Sequence, residues 1–167
     1  MTGEPLAKAL VDVLAGRGET VATAESLTGG LVADAFVRVP GTSVVYRGGV
    51  IPYATPLKHA LLGVDADLLE NKGPVDPGVA LQMAGGVAER LGATWGIATT
   101  GVAGPEPQDG VPPGVVYVAV AGPAARRVER LDLPGGRVDV RRVATEKALA
   151  LLTDVIAAAE HLGGAGR

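Results

Sequence analysis

Apolar positions recur along this chain with two periods, and the switches between them divide it into alternating helical and extended segments. Leu6, Leu10, Val13 and Leu14 share one face of a helix predicted from Glu4 to Ala15, with Gly16 and Gly18 ending it. Thr20 to Glu25 reads as a short strand. Gly29 to Val39 carries Leu31, Ala35 and Val39 at helical spacing, and Pro40-Gly41 stops it. A β segment with a bend at Gly48-Gly49 is expected over Ser43 to Tyr53. Thr55-Pro56 then supplies a cap and a first-turn proline for a short helix closing at Gly63. Asp65 to Asn71 reads as another short helix, and Asp76-Pro77 opens a longer one ending near Leu91-Gly92. Trp95 to Thr100, Gly114 to Ala121 and Arg126 to Leu133 are strands, and the last helix runs from Val138 to Leu162.

Strands joined through helices are expected to be parallel with right-handed crossovers, which applies to the first three. The fourth follows the third without a helix and is expected to be antiparallel; the fifth follows by a short turn and reverts. The predicted fold is a three-layer α/β/α sandwich around a mixed, mostly parallel five-stranded sheet with one antiparallel strand. No internal repeat or linker interrupts it, so residues 1–167 are expected to be one domain. In this topology four segments leave the same sheet edge: Ser26, Tyr53 to Lys58, Thr99-Thr100-Gly101, and Pro134-Gly135-Gly136-Arg137. Ligands bind at that edge in open α/β sheets.

Composition narrows the chemistry. Aromatics are only 3%, so the core must be Val, Leu, Ile and Ala. A net charge of −3 gives no electrostatic reason to expect nucleic acid binding. Arg126, Arg127, Arg130, Arg137, Arg141 and Arg142 do crowd together, either as a solvated face or as an anion site. The absence of cysteine excludes disulfides, thiolate metal sites and a cysteine nucleophile. No signal peptide and no apolar run of the roughly 20 residues needed to span a bilayer is evident, so no membrane partner and a cytoplasmic setting are expected. Gly29-Gly30 and Gly135-Gly136 match neither a Walker A loop nor a dinucleotide fingerprint, which argues against ATP and NAD. The apolar bias (mean hydropathy +0.30) and the long last helix point to a homodimer.

The chain has two serines against eleven threonines, and one of them, Ser26, falls at a strand-to-helix turn beside free helix N–H groups. A primary alcohol is the less hindered nucleophile. It needs a base, and neither His59 nor His161 is well placed for a Ser-His-Asp triad. Lys58 can serve if burial lowers its pKa, and its place in a helix's first turn disfavours its charge. Each residue also has a plainer role: Ser26 as a helix cap, Lys58 as a solvated side chain, Gly101 to Gly104 as a tight turn. That turn could equally present N–H groups to an oxyanion. Arg137, Arg141 and Arg142 at a helix start oppose its dipole, which suggests a phosphate contact. The set suits acyl transfer on a small anionic substrate.

Ala24-Glu25-Ser26-Leu27-Thr28-Gly29-Gly30, Tyr53 with Lys58, Gly101-Val102-Ala103-Gly104-Pro105, and Gly136-Arg137 with Arg141-Arg142 together resemble the CinA C-terminal family. The resemblance covers the chain from about Leu6 to Ala159. It implies a metal-independent, cofactor-free amidohydrolase that converts nicotinamide mononucleotide to nicotinic acid mononucleotide and ammonia. It further implies Ser26 as nucleophile, Lys58 as general base, and Tyr53 and Thr100 as orienting groups. Thr28, Gly29, Gly30, Gly101, Gly104, Arg137, Arg141 and Arg142 would contact the substrate. Two positions depart from the family pattern: Leu27 stands where the family usually has cysteine, and Gly73-Pro74-Val75-Asp76 replaces Gly-Ala-Val-Ser. Larger members add an N-terminal pyrophosphatase-type domain, which is not expected in these residues. The competing reading is a non-catalytic nucleotide-binding or protein-interaction module of the competence/damage-inducible type.

Overall fold

Five strands, β1 (Val21–Glu25), β2 (Tyr46–Val50), β3 (Trp95–Gly101), β4 (Val115–Ala121) and β5 (Arg126–Asp132), form one sheet in the order β2-β1-β3-β4-β5. The computed structural model describes residues 3–123 and 125–164; the other positions of the expected 1–167 domain lie outside the described residues. β1 pairs in parallel with β2 and β3, while β4 is antiparallel to both β3 and β5. Only β4 therefore runs against the rest, as the connections predict. The ladders themselves divide evenly, so "mostly parallel" describes strand direction and not pairing.

Among the described residues six α-helices cover the sheet: α1 (Glu4–Arg17), α2 (Leu31–Val37), α3 (Thr55–Leu62), α4 (Ala66–Lys72), α5 (Pro77–Leu91) and α6 (Arg137–Gly164). Successive strand residues point to opposite faces, and each face has its own core. Val21, Trp95, Ile97, Val116, Val118 and Val120 meet α1, α2 and α6. Ala22, Ala24, Ala98, Ala119 and Ala121 meet Leu62 of α3, Leu69 of α4 and the apolar side of α5. The second face is made of small side chains, so the helix above it lies close. A Cβ on Gly96 of β3 would run into the Ala84 carbonyl of α5, and one on Gly86 of α5 into the Leu62 carbonyl of α3. None of the described helices is long and apolar enough to cross a membrane.

Several boundaries differ from expectation for local reasons. The segment expected as strand over Ser43 to Tyr53 begins as a 3₁₀ turn, Thr42–Val44, and only Tyr46–Val50 pairs, running through Gly48-Gly49. α2 starts at Leu31 and not Gly29, because Gly29 and Gly30 adopt φ of 58° and 106°. Thr55 is not the cap of α3 but its first residue; Ala54 precedes it with no side-chain cap bond. Gly16 lies inside α1, which Gly18 ends in the left-handed conformation, and Val13 is 42% exposed where the helical pattern placed it inward. Asp65 and Asp76 do cap α4 and α5, each accepting from two backbone N–H groups.

Candidate active site

The C-terminal ends of β1, β2 and β3 and the turn after β5 lead to one cleft, as the strand order requires. Ser26 and Leu27 enter it from β1, Tyr53 and Lys58 from the start of α3, and Pro74 and Val75 from the turn before α5. Thr100 and Gly101 end β3, Val102 through Gly104 follow it, and Arg137 opens α6. Glu106 and Gln108 complete the lining.

Lys58 is only 1% exposed, a rare position for lysine, and Ser26 is 8% exposed. Lys58 Nζ lies 3.2 Å from Ser26 Oγ and donates to the Pro52 carbonyl at 2.8 Å, with the Tyr53 carbonyl at 3.5 Å. Two carbonyls thus hold two of the amine's directions and leave the third toward the serine. Burial disfavours the charged form and lowers the Lys58 pKa to about 8. Half of the amine is then neutral near that pH, free to accept a proton from Ser26. The serine hydroxyl is not used as a helix cap; α2 has no cap bond from its Gly30.

Thr100, 1% exposed, donates its hydroxyl to the Pro74 carbonyl at 2.7 Å and so ties the loop before α5 to β3. Tyr53 stands at the mouth, 59% exposed, with its hydroxyl accepting from Arg137 Nη2 at 3.2 Å. Arg137 Nη1 also donates to the Gly104 carbonyl at 2.7 Å, so this arginine spans the opening. Among the described residues, the N–H groups of Leu27, Ala103 and Gly104 donate to no protein acceptor, and all three residues line the cleft. Both Gly101 and Gly104 sit against it as expected; a Cβ on Gly101 would press on the β4 backbone at 2.7 Å.

The remaining expected contacts are not brought to the cleft. Arg141 donates to the Leu27 and Thr28 carbonyls at 2.8 and 3.1 Å and braces the turn after β1 from behind. Arg142 lies one residue round the helix and pairs in solvent with Asp139 and Glu146. The Thr28 hydroxyl is buried between Glu25 and Thr99. Gly29 and Gly30 supply the turn's left-handed geometry and do not line the opening. The helix N–H groups expected to be free beside Ser26 are taken: Val32 and Ala33 donate to Glu25 at 2.8 and 3.0 Å. Glu25 is the residue that motif reading passed over. Its sequence signal was a carboxylate closing an otherwise uncharged strand, and the structure buries that strand along its whole length.

Leu27, one of the two departures from the pattern of the resembled family, is 4% exposed and packs into the α1/α2/α6 core. Asp76 caps α5 at 2.7 and 3.2 Å, so the changed loop keeps its helix start.

Comparison with known proteins places the chain in a family and matches its fold. Residues 3–156 match the model of the CinA C-terminal domain. A CinA-like protein of Frankia casuarinae is 45% identical over 148 residues, which is 89% of this chain and 34% of that protein. One of Gloeobacter violaceus is 46% identical over 152 residues, 89% of this chain and 36% of that protein. The chain thus spans about a third of the length of these curated relatives. Among solved structures, a competence-damaged protein (CinA) superfamily protein from Escherichia coli superposes with a TM-score of 0.89 at 34% identity, covering 92% of this chain and 90% of that one. The competence/damage inducible protein CihA from Agrobacterium tumefaciens gives 0.88 at 33%, covering 91% and 94%.

Proposed function

The chain belongs to the CinA C-terminal domain family, and we propose that it hydrolyses the carboxamide of nicotinamide mononucleotide to nicotinic acid mononucleotide and ammonia. Neutral Lys58 accepts the Ser26 proton as Oγ attacks the carboxamide carbon. The tetrahedral oxyanion takes hydrogen bonds from the N–H groups of Leu27 and the Ala103-Gly104 turn. The Lys58 ammonium then protonates the leaving nitrogen, which departs as ammonia and leaves an acyl-serine. Lys58, neutral again, takes a proton from water as it attacks, and the acid is released with Ser26 restored. Neither metal nor cofactor enters these steps.

The observation that carries this reading is the 3.2 Å approach of a buried amine to the hydroxyl of Ser26. Lys58 in solvent or Ser26 spent as a cap would favour a non-catalytic module; the burial of Lys58 and the absence of a side-chain cap bond on α2 favour the enzyme. The identity of the substrate follows the family resemblance; the residues themselves support acyl transfer on a small anion, with Arg137 as the arginine at the opening. A cytoplasmic setting and a homodimer belong to the same reading. Ammonia release from nicotinamide mononucleotide tests it. Ser26→Ala should lower kcat at least about 10³-fold with the fold intact. Equal rates in wild type and variant, or none in either, would sink the proposal.

A further inference from the structure

We infer that Glu25 is a positioning residue whose carboxylate clasps the turn that presents Ser26. This rests on Ser26 being the nucleophile. Glu25 ends β1, is 1% exposed, and stands immediately before the serine. Its Oε1 accepts from the Thr28 hydroxyl at 2.7 Å and from Val32 N–H at 2.8 Å, and its Oε2 accepts from Ala33 N–H at 3.0 Å. One side chain thus joins the last residue of the strand to the first turn of the next helix, across Ser26 to Gly30.

Helix capping alone does not explain it. The same chain caps α4 and α5 with an aspartate immediately before each helix, accepting from N–H groups two and three residues on. A buried carboxylate is costly unless fully hydrogen-bonded, and here it reaches α2 from the strand, past a Gly30 whose φ of 106° leaves no place for a local capping side chain. What a local cap cannot do is hold β1 against α2 while the pliant pair Gly29-Gly30, with φ of 58° and 106°, lies between them. The clasp extends to the neighbouring strand. Thr28 has one hydroxyl proton and gives it to Glu25, so Thr99 of β3 donates the 2.8 Å bond between the two threonines. On the other side Arg141 holds the Leu27 and Thr28 carbonyls. The turn is gripped from both sides, and Ser26 Oγ is left as its working end.

The clasp also decides where the substrate's charge cannot go. Val32 and Ala33 N–H are occupied by the protein's own carboxylate, so the N-terminus of α2 is closed to a phosphate.

The test compares wild type with Glu25→Gln in three measurements: Tm, kcat and KM for ammonia release from nicotinamide mononucleotide, and the rate at which a fluorophosphonate probe labels Ser26. Glutamine sets an NH₂ against a helix N–H and opens the clasp. Expected are parallel falls in kcat and labelling rate of roughly 10²-fold. KM should stay within about twofold and the pH of half-maximal rate should not move, because Lys58 is untouched. Glu25→Asp, one methylene shorter, should not rescue. A Glu25→Gln protein with lowered Tm but wild-type turnover and labelling would make Glu25 a cap only and overturn the inference. If Glu25→Gln fails to fold, Thr28→Val removes one donor and the tie to Thr99; a drop in labelling of about tenfold supports the clasp, and unchanged labelling overturns it. A wild type that labels at Ser26 but releases no ammonia sinks the substrate assignment and leaves the labelling comparison to decide on Glu25. A wild type that resists the probe sinks both.

Discussion

The two faces of the sheet are packed by different means, and each delivers one half of the Ser26–Lys58 pair. Toward α1, α2 and α6 the strands present valine, isoleucine and tryptophan, an interior whose stability comes from apolar area and which tolerates modest repacking. Toward α5 they present alanine and Gly96, which lies against the Ala84 carbonyl, while Gly86 of α5 lies against the Leu62 carbonyl of α3, so backbones touch and little can give. α3 rests on α5 through Leu62 at Gly86 and carries Lys58 four residues earlier. Ser26 is held by hydrogen bonds around a turn; Lys58 is held by close packing beneath its helix. Stability should therefore be most sensitive on the bulky face, and catalysis on the small one.

The largest effect is expected at the amine itself. Lys58→Met should lower kcat by roughly 10²-fold or more in the ammonia assay. It should also stabilise the protein by about 1 kcal/mol or more at neutral pH, since a buried charge is removed. The sign follows from the Lys58 pKa of about 8 in the fold against 10.5 ordinarily. Below 8 both folded and unfolded chains hold the proton and the burial cost is fully present. As pH rises from 8 to 10.5 the unfolded chain holds more protons, wild-type stability climbs, and the gap to the variant closes. Urea unfolding at several pH values measures it. Wild-type kcat/KM should fall about tenfold per unit below pH 8.

Gly86→Ala comes next. Its methyl meets the Leu62 carbonyl, displaces α3, and should reduce kcat roughly 10- to 100-fold. Leu152→Ala, at a fully buried position of α6 on the other face, should cost about 2–5 kcal/mol of stability yet leave kcat within about twofold. If the losses fell the other way round, the division of labour between the faces would be wrong. The smallest contrast separates two arginines. Arg137→Ala should raise KM about tenfold, whereas exposed Arg142→Ala should leave it unchanged. Steady-state kinetics on both checks it.

Helix ends and strand directions were legible because each has a local cause. Asp76-Pro77 opens α5 and Gly63 and Gly92 close helices in the left-handed region as their patterns indicate. The rim on which Ser26, Tyr53, Lys58, Thr100 and Arg137 meet follows from strand order alone. What depended on side-chain direction was not legible. Arg141 and Arg142 are neighbours in a helix, yet one turns inward to backbone carbonyls and the other outward to carboxylates. No spacing rule distinguishes them before the packing of α6 is known. Glu25 was hidden for a similar reason, since its backbone partners lie seven and eight residues on, beyond any capping motif.

β5 bears on how the molecule behaves among its own copies. It forms one margin of the sheet and reads Arg126-Arg127-Val128-Glu129-Arg130-Leu131-Asp132. Arg127 pairs with Glu129 and Arg130 with Asp132 along the strand, so much of the basic run resembling an anion site is neutralised where it stands. An unpaired margin is an invitation to fibril-like stacking, and a row of hydrated charges withdraws it. Charged side chains along β5 disfavour strand-to-strand addition at that margin, which leaves other surfaces free for a homodimer.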